Sequence, residues 1–412
     1  MNQVNGADTA WVLIGGALVM LMTPGLGLFY GGLVRQKNAL STIMHSFFIL
    51  GLVSVQWVLV GYSLAFGPDV GGVIGGLDWV GLRGVGQDPN PTYAATIPHL
   101  AFMSFQMMFA ALTPALISGA FAERKRFAAF ALFSILWTTL VYDPIAHWVW
   151  GDGGWLRSLG TLDFAGGTVV HISSGVSALI CARVLGRRMG YGREAMEPHN
   201  ATLTILGAAL LWFGWFGFNA GSALGSGVIA TAAFVNTNTA AAMASLTWLT
   251  ASWIHHRRPS ALGAAAGALA GLVGITPASG FVSPMGALLI GFVAGLACFA
   301  VVEFLVRGRI DDSLDVFGVH GVGGTVGMLA TGLLATRFVN PAGADGLFYG
   351  NARLVLVQSV AVLATAAYSA AMTWGLLRLV DALVGLRVSP EEEVRGLDLS
   401  QHGELAYKSQ IS

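Results

Sequence analysis

Two histidines stand inside long apolar stretches of the sequence, where an ionisable side chain is costly. His171 follows a glycine-rich segment, and His320 precedes another one. A neutral imidazole has one donor and one acceptor nitrogen, so two rings in contact can line a narrow path and pass a proton along it. The alternative is structural, because each ring could simply bond a backbone carbonyl between two helices. Two histidines in similar surroundings favour a shared functional role.

Aromatic side chains in other apolar stretches could recognise a small cation. Phe105, Phe109, Trp215 and Phe218 are the members of this set. Aromatic faces attract cations by about 0.5–2 kcal/mol when the site is partly desolvated. An aromatic cage with one hydroxyl would therefore select a small cation and reject anions. Polar residues that a surface facing lipid would avoid accompany them, namely Gln106, Asn219 and Ser222.

Asp163 precedes the stretch that contains His171. At the start of a helix, a carboxylate accepts hydrogen bonds from unpaired amides and is favoured by the helix dipole. Capping is thus the first role that we predict, and added negative potential near a cation entrance is a compatible second one. We predict the same capping role for Asp311, Asp312 and Asp315 ahead of His320.

The composition indicates what kind of protein carries these residues. Of the 412 residues, 55% are hydrophobic and only 10% are charged, whereas soluble domains have about 25% charged residues. The formal net charge is +0, so no basic excess suggests nucleic acid. Cys181 and Cys298 both lie in apolar runs and form no disulfide framework, and we predict no cofactor and no metal site.

Eleven segments are apolar over roughly the 20 residues that a helix needs to cross a bilayer. We therefore predict an all-α, multi-pass membrane protein with a transmembrane transport domain at 1–380 and a cytoplasmic C-terminal regulatory tail at 381–412. The segments lie at about 10–33, 41–66, 97–121, 127–146, 164–185, 200–221, 226–254, 260–276, 282–306, 315–336 and 350–379.

Charge and repetition orient these segments. With the N-terminus outside, most of the 21 Lys and Arg residues lie on inner connections or in the tail, and only Arg83, Arg157, Arg337 and Arg353 stay outside. The positive-inside rule then places the N-terminus out and the C-terminus in. Spans one to five and six to ten could form inverted repeats followed by a final helix, because an odd number of spans reverses the second half.

The tail contains a helix-start signal at Ser389 to Glu393: a capping residue, a proline and three acids. We predict a short cytosolic helix there, which could be a docking surface for a regulator or only a solvated tail.

Two other function classes are weaker. Ser173, Ser174 and Ser222 with the histidines could suggest an intramembrane protease, but motifs alone do not establish catalytic geometry, and we predict that the chain is no enzyme. The glycines of 25–31 are not followed by the lysine-serine pair of a phosphate loop, so nucleotide binding is set aside.

Several long motifs occur in an order that resembles the ammonium transporter family, in the Amt branch of the Amt/Mep/Rh proteins. The resemblance covers essentially the whole chain, and Trp150 favours Amt over Rh. Asp152 departs from the family pattern by interrupting the glycine run at 151–154, which affects outer-loop detail only. The motifs lie at Pro24–Gly32, Gly119–Arg124, Asp163–His171, Gly214–Ser222, Asp315–Gly321 and from Gly385 to Glu404.

The resemblance implies a homotrimer in the plasma (inner) membrane, with one pore in each eleven-span subunit. It further implies ammonium as substrate, with methylammonium as a second candidate, and a tail that binds a PII-type signal protein. By motif position, the resemblance assigns an outer substrate-binding cage to Phe105, Trp150 and Ser222, with Asp163 in support. It assigns the pore gate to Phe109 and Phe218. The pore-lining and proton-relay residues are His171, His320 and Trp215.

The expected mechanism follows from the cost of charge in an apolar pore. Ammonium would carry that cost through the pore and ammonia would not, so we expect recruitment as the cation, deprotonation and passage as ammonia. The proton either crosses separately along the histidine pair, which makes uptake electrogenic, or stays outside, as in a gas channel. The alternative function is an ammonium sensor that signals through a partner bound to the tail.

Overall fold

Long helices make up most of the computed structural model, which describes residues 4–407. Each of the eleven predicted segments is helical there. The largest difference from the predicted limits is at the fourth helix, which was predicted to end at 146 and continues, with a break, to Leu159. The last helix ends five residues later than predicted, at Val384. The helices are α1 (Gly6–Leu33), α2 (Gln36–Phe66), α3 (His99–Phe121), α4 (Phe127–Leu159, broken at 151–154), α5 (Gly167–Leu185), α6 (Ala201–Gly221), α7 (Val228–His256), α8 (Ala261–Ile275), α9 (Pro284–Val306), α10 (Phe317–Leu334) and α11 (Ala352–Val384).

Nine of these helices, within residues 4–407, are long and apolar enough to cross a membrane. The two others are α8, which has only 15 residues, and α7, which is long but carries Asn236, Asn238 and several threonines. Packing rather than composition therefore holds these two helices in the bundle: Gly271 of α8 lies so close to α7 that an added Cβ would be 2.4 Å from the Ala240 carbonyl oxygen.

Four short strands form two antiparallel hairpins between α2 and α3. These are β1 (Asp69–Val70) with β2 (Ile74–Gly75), and β3 (Pro89–Asn90) with β4 (Ala94–Pro98). They define one end of the helix bundle, which we call the hairpin face. The opposite end, formed by the connections α1–α2, α3–α4, α5–α6, α7–α8 and α9–α10 and by the chain after Val384, is called the tail face.

Both α5 and α10 begin with a wide π-helical turn, at Gly167–Ile172 and at Phe317–Gly321. Each of these turns contains one of the two histidines. Single π turns are frequent at functional sites, and further ones occur in α2, α4 and α9. The backbones cross closely where an added Cβ at Gly175 would lie 2.2 Å from the Gly321 nitrogen. Small residues thus allow α5 and α10 to bring their imidazoles together.

Buried ion pairs join the connections at the tail face. The Glu123 carboxylate is 2.8 Å from the Arg35 guanidinium and 3.3 Å from that of Arg188. Burial alone would raise the pKa of Glu123, but Arg188 and Arg35 together hold it below its ordinary value. Arg188 also lies 2.8 Å from Asp311. The capping role predicted for Asp311 is therefore wrong, because an arginine from a distant connection takes its carboxylate.

Asp312 does act as the predicted cap, since its Oδ2 accepts from the Phe317 amide at 2.7 Å. For Asp315, no side-chain hydrogen bond occurs within the part of the chain that the structure describes.

The predicted tail helix is confirmed as α12 (Pro390–Arg395), which begins with a capping box between Ser389 and Glu392. The tail packs on the tail face rather than extending into solvent. Lys37 Nζ donates to the Glu393 carbonyl at 2.9 Å, and Asp398 accepts from the Ser41 amide at 2.7 Å. Residues 408–412 of the predicted tail lie outside the described residues.

Candidate functional site

Asp163 caps α5 with its whole carboxylate. Oδ1 accepts from the amides of Gly166 at 2.9 Å and Gly167 at 2.6 Å, and Oδ2 accepts from the Thr168 amide at 2.7 Å and from the Thr168 hydroxyl. The side chain is 7% exposed. These bonds hold a negative charge at the start of the helix that carries His171.

Trp150 is tied to this cap, because its indole Nε1 donates to the Asp163 carbonyl at 2.9 Å. It ends the first part of α4 and remains half-buried. Its ring stands edge-on to Phe109 of α3, with centroids 6.1 Å apart at 89°. The capping bonds therefore also fix an aromatic wall near the hairpin face.

Phe105 completes the aromatic wall one helical turn before Phe109, with ring centroids 5.0 Å apart. Its ring packs against the end of α6, where an added Cβ at Gly221 would lie 2.7 Å from it. Ser222, the next residue, donates its hydroxyl to the Phe218 carbonyl at 2.8 Å and is half-buried. Its oxygen keeps a free acceptor position that a small cation could use.

Phe109 and Phe218 stack directly, with centroids 4.3 Å apart at an angle of 34°. Both side chains are buried. Phe218 also faces His171, with centroids 5.8 Å apart at 23°. The two phenyl rings therefore form an apolar barrier between the aromatic wall and the imidazoles.

The two histidines meet beyond this barrier. Their Nδ1 atoms lie 3.2 Å apart and share one hydrogen bond, and the rings stack at 5.3 Å and 27°. This bond requires opposite tautomers, in which one Nδ1 carries the proton and donates while the other Nδ1 is unprotonated and accepts. Within residues 4–407, His171 Nε2 is buried with no hydrogen-bond partner. That nitrogen is free to face a solute between the helices.

Trp215 covers the other side of His171, with centroids 5.4 Å apart at 23°. Its indole donates to the Thr276 hydroxyl at 2.9 Å, which fixes the ring plane. Trp215, Phe218 and Ser222 share one face of α6 because they are spaced by three and four residues.

A cavity of about 460 Å³ begins at His171 and His320 and reaches the tail face. Trp215, Leu112 and Trp248 line its apolar part. Near the tail face it is lined by charged side chains, which include Arg188, Glu303, Arg307, Asp311 and Asp312. The imidazoles therefore stand between a closed aromatic barrier and an open cavity.

The structure thus brings every predicted site residue into one column from Trp150 to His320. Sequence reasoning missed two supporting residues. Thr168 could have been found, since its hydroxyl and amide lie within reach of a cap at Asp163. Thr276 could not, because nothing in the sequence pairs it with Trp215, 61 residues away.

A bundle of long apolar helices around such a column is the architecture of a polytopic membrane transporter. The family model described as Ammonium Transporter Family matches residues 10–407, and the chain belongs to that family. It is a family of transporters rather than of enzymes, and the chain is an ammonium transporter. The predicted family is confirmed.

Individual relatives agree over nearly the full length. The chain is 56% identical to an ammonium transporter of Bacillus subtilis over 98% of this chain and 99% of that protein. It is similar in structure to Mep2 of Saccharomyces cerevisiae, with a TM-score of 0.91 and 38% identity over 100% of this chain and 93% of the yeast chain. A structure titled "Sensor Amt Protein" is similar at a TM-score of 0.89 and 31% identity, over 96% of this chain and 98% of that one.

Proposed function

We propose that the chain takes up ammonium by recruiting the cation at Phe105, Trp150 and Ser222, removing its proton and passing ammonia along His171 and His320. One observation carries the proposal: a hydrogen-bonded pair of buried imidazoles stands directly behind a closed stack of two phenyl rings. The closed phenyl pair excludes a hydrated ion, whereas the imidazole nitrogens behind it can form hydrogen bonds with neutral ammonia.

Cation recognition is proposed for the hairpin end of the column. The faces of Phe105 and Trp150 offer cation–π attraction, and the Ser222 oxygen offers one hydrogen-bond acceptor. Asp163 adds a negative charge close by, although its oxygens are occupied by the α5 amides and by Thr168. Its contribution is therefore long-range attraction and the positioning of Trp150, not direct ligation of the substrate.

Deprotonation is proposed at the Phe109–Phe218 gate. A charge inside an apolar span costs on the order of 2.5–3.5 kcal/mol by insertion scales, and this cost applies to ammonium but not to ammonia. The gate therefore selects the neutral form. His171 accepts the proton at Nε2, which has no partner within residues 4–407, and passes its Nδ1 proton to His320 Nδ1. His320 then releases a proton from Nε2 into the cavity, and reversal of the shared hydrogen bond resets the pair.

The membrane arrangement proposed is eleven spans in inverted five-span repeats plus a final helix, with the N-terminus outside. Equivalent surroundings of the histidines support the repeat. Both lie in π turns. Asp163 precedes His171 by as many residues as Asp312 precedes His320, and both carboxylates accept helix-start amides.

A homotrimer in the plasma membrane is proposed as the assembled form. Asn238 supports it, because this polar side chain is exposed in the middle of α7, where contact with lipid would be unfavourable. A neighbouring subunit would cover it. Native mass measurement should give three chains per particle, and a monomer would contradict the assembly.

A PII-type signal protein is proposed to bind at the tail. The tail is a preformed surface, because Lys37 and Asp398 fix it on the tail face. Val394 and Leu405 are 62% and 54% exposed, respectively, and offer apolar anchors.

Replacing Val394 with aspartate is expected to weaken PII-type binding by at least about tenfold, since a charge would be placed in an apolar contact. Uptake should be unchanged, because the side chain of Val394 does not hold the tail. Binding can be measured by surface plasmon resonance on membrane discs, with Glu391→Gln as the control in the same helix. Unchanged affinity for Val394→Asp would contradict this docking surface.

The function itself is tested by current across proteoliposomes under an ammonium gradient at several pH values. An ammonium-evoked inward current is expected, because the cation enters the site and its proton crosses separately. Ammonia uptake without current would instead indicate a gas channel. Ammonium binding without flux would favour the sensor alternative, to which the name of one structural relative refers.

A further inference from the structure

A cluster of three metal-ligating side chains lies at the tail face, outside the column. His255 and His256 end α7, and Glu303 lies in the last turns of α9. The ligand atoms of all three side chains lie within 4.8 Å of one another. Glu303 Oε1 is 3.9 Å from His255 Nε2 and 3.6 Å from His256 Nε2.

The carboxylate of Glu303 is divided between two tasks. Its Oε2 accepts a hydrogen bond from the Arg307 guanidinium, whereas both imidazoles face Oε1. Arg307 therefore orients the carboxylate and leaves one oxygen towards the histidines. An outer partner that orients a carboxylate ligand in this way is a regular feature of metal sites.

The helices that carry the cluster are held close together. An added Cβ would lie 2.4 Å from the Ala240 carbonyl oxygen at Gly291, and 2.8 Å from that of Ala244 at Gly295. Close α7–α9 packing fixes the distance between the two helix ends. The two adjacent histidines and the distant Glu303 are therefore held together by the packing of their helices.

We propose that His255, His256 and Glu303 bind one divalent transition-metal ion of the Zn²⁺ type, with water at the fourth position. Neutral imidazole and carboxylate are ligands that zinc prefers, with bonds of about 2.0–2.2 Å. In a tetrahedral site such ligand atoms are about 3.3 Å apart. Reaching that spacing from the observed distances requires only small rotations of side chains that are partly open to solvent.

The metal site lies at the mouth of the cavity that starts at the histidine pair. His256, Glu303 and Arg307 all line this cavity. A bound divalent ion would add positive charge where ammonium re-forms and leaves, so it would slow transport. This consequence rests on the proposed function, whereas the metal site itself does not.

Zinc titration by calorimetry tests the site on the full-length protein, purified without a histidine tag. One Zn²⁺ per subunit is expected, and His255→Gln, His256→Gln or Glu303→Gln should each weaken binding by at least about tenfold. His199→Gln is the matched control, because its ring already bonds Val34 and Tyr407. No binding, or equal binding in all variants, would overturn the proposal. Equal thermal unfolding of the metal-free variants shows that they are folded.

Ammonium-evoked current tests the consequence in proteoliposomes. Zinc should lower the current of the unmodified protein and leave that of His256→Gln unchanged. Zinc binding without any effect on current would overturn the inhibitory role. If the metal-free protein carried no ammonium at all, the proposed function would be wrong, and calorimetry would still decide the metal site.

Discussion

Asp163→Ala is expected to reduce ammonium uptake by at least about 10²-fold. The substitution removes the acceptor of three backbone amides and one hydroxyl at the start of α5. Each buried donor left without a partner costs about 1–3 kcal/mol. The first turn of α5, which carries His171, should shift, and Trp150 should lose its fixed position. Uptake of labelled methylammonium into vesicles, normalised to the amount of protein, measures the effect.

Asp163→Asn is the informative companion variant. Its amide oxygen can still accept hydrogen bonds, but its NH2 group faces the Thr168 amide and hydroxyl, which are also donors. Uptake between that of the unmodified protein and Asp163→Ala is expected. Full uptake by the asparagine variant would show that capping alone matters and that the negative charge does not. Full uptake by the alanine variant would contradict any role of Asp163 in transport.

Local signals in the sequence predicted much of the fold. Apolar segments located all eleven long helices, and nine of these, within residues 4–407, are long and apolar enough to cross a membrane. The Ser389 capping box and the Asp163 cap were predictable because each joins residues three to five positions apart. Such bonds depend on local backbone geometry, which the sequence determines directly.

Contacts between distant segments were not predictable in the same way. Asp311 resembles a helix cap in the sequence, yet it pairs with Arg188, 123 positions away. Glu303 likewise gives no sign that it lies beside His255 and His256. Both depend on which helices pack together, and only the folded bundle decides that. The residues of the aromatic column could be predicted because the family resemblance supplied their long-range pairing.

His171→Ala is the second variant with a large expected effect. It removes a ring that bonds His320, stacks on Trp215 and faces Phe218. Since a positioned proton-transfer group contributes typically 10²–10⁴-fold, the ammonium-evoked current should fall by about 10² or lose its selectivity against potassium. The measurement is current in proteoliposomes, and His199→Ala outside the column serves as control. An unaltered current with unaltered selectivity would contradict the relay.

Comparing His320→Ala and the double variant shows whether the two rings act as one unit. A proton that crosses the shared Nδ1–Nδ1 bond needs both imidazoles, so either single loss should be as severe as the loss of both. Rings that only shape the path would instead give independent losses, which multiply in the double variant. Because the rings are in contact, a small coupling is expected in either case. A double variant with the same ammonium-evoked current as His171→Ala alone would therefore support a shared proton path.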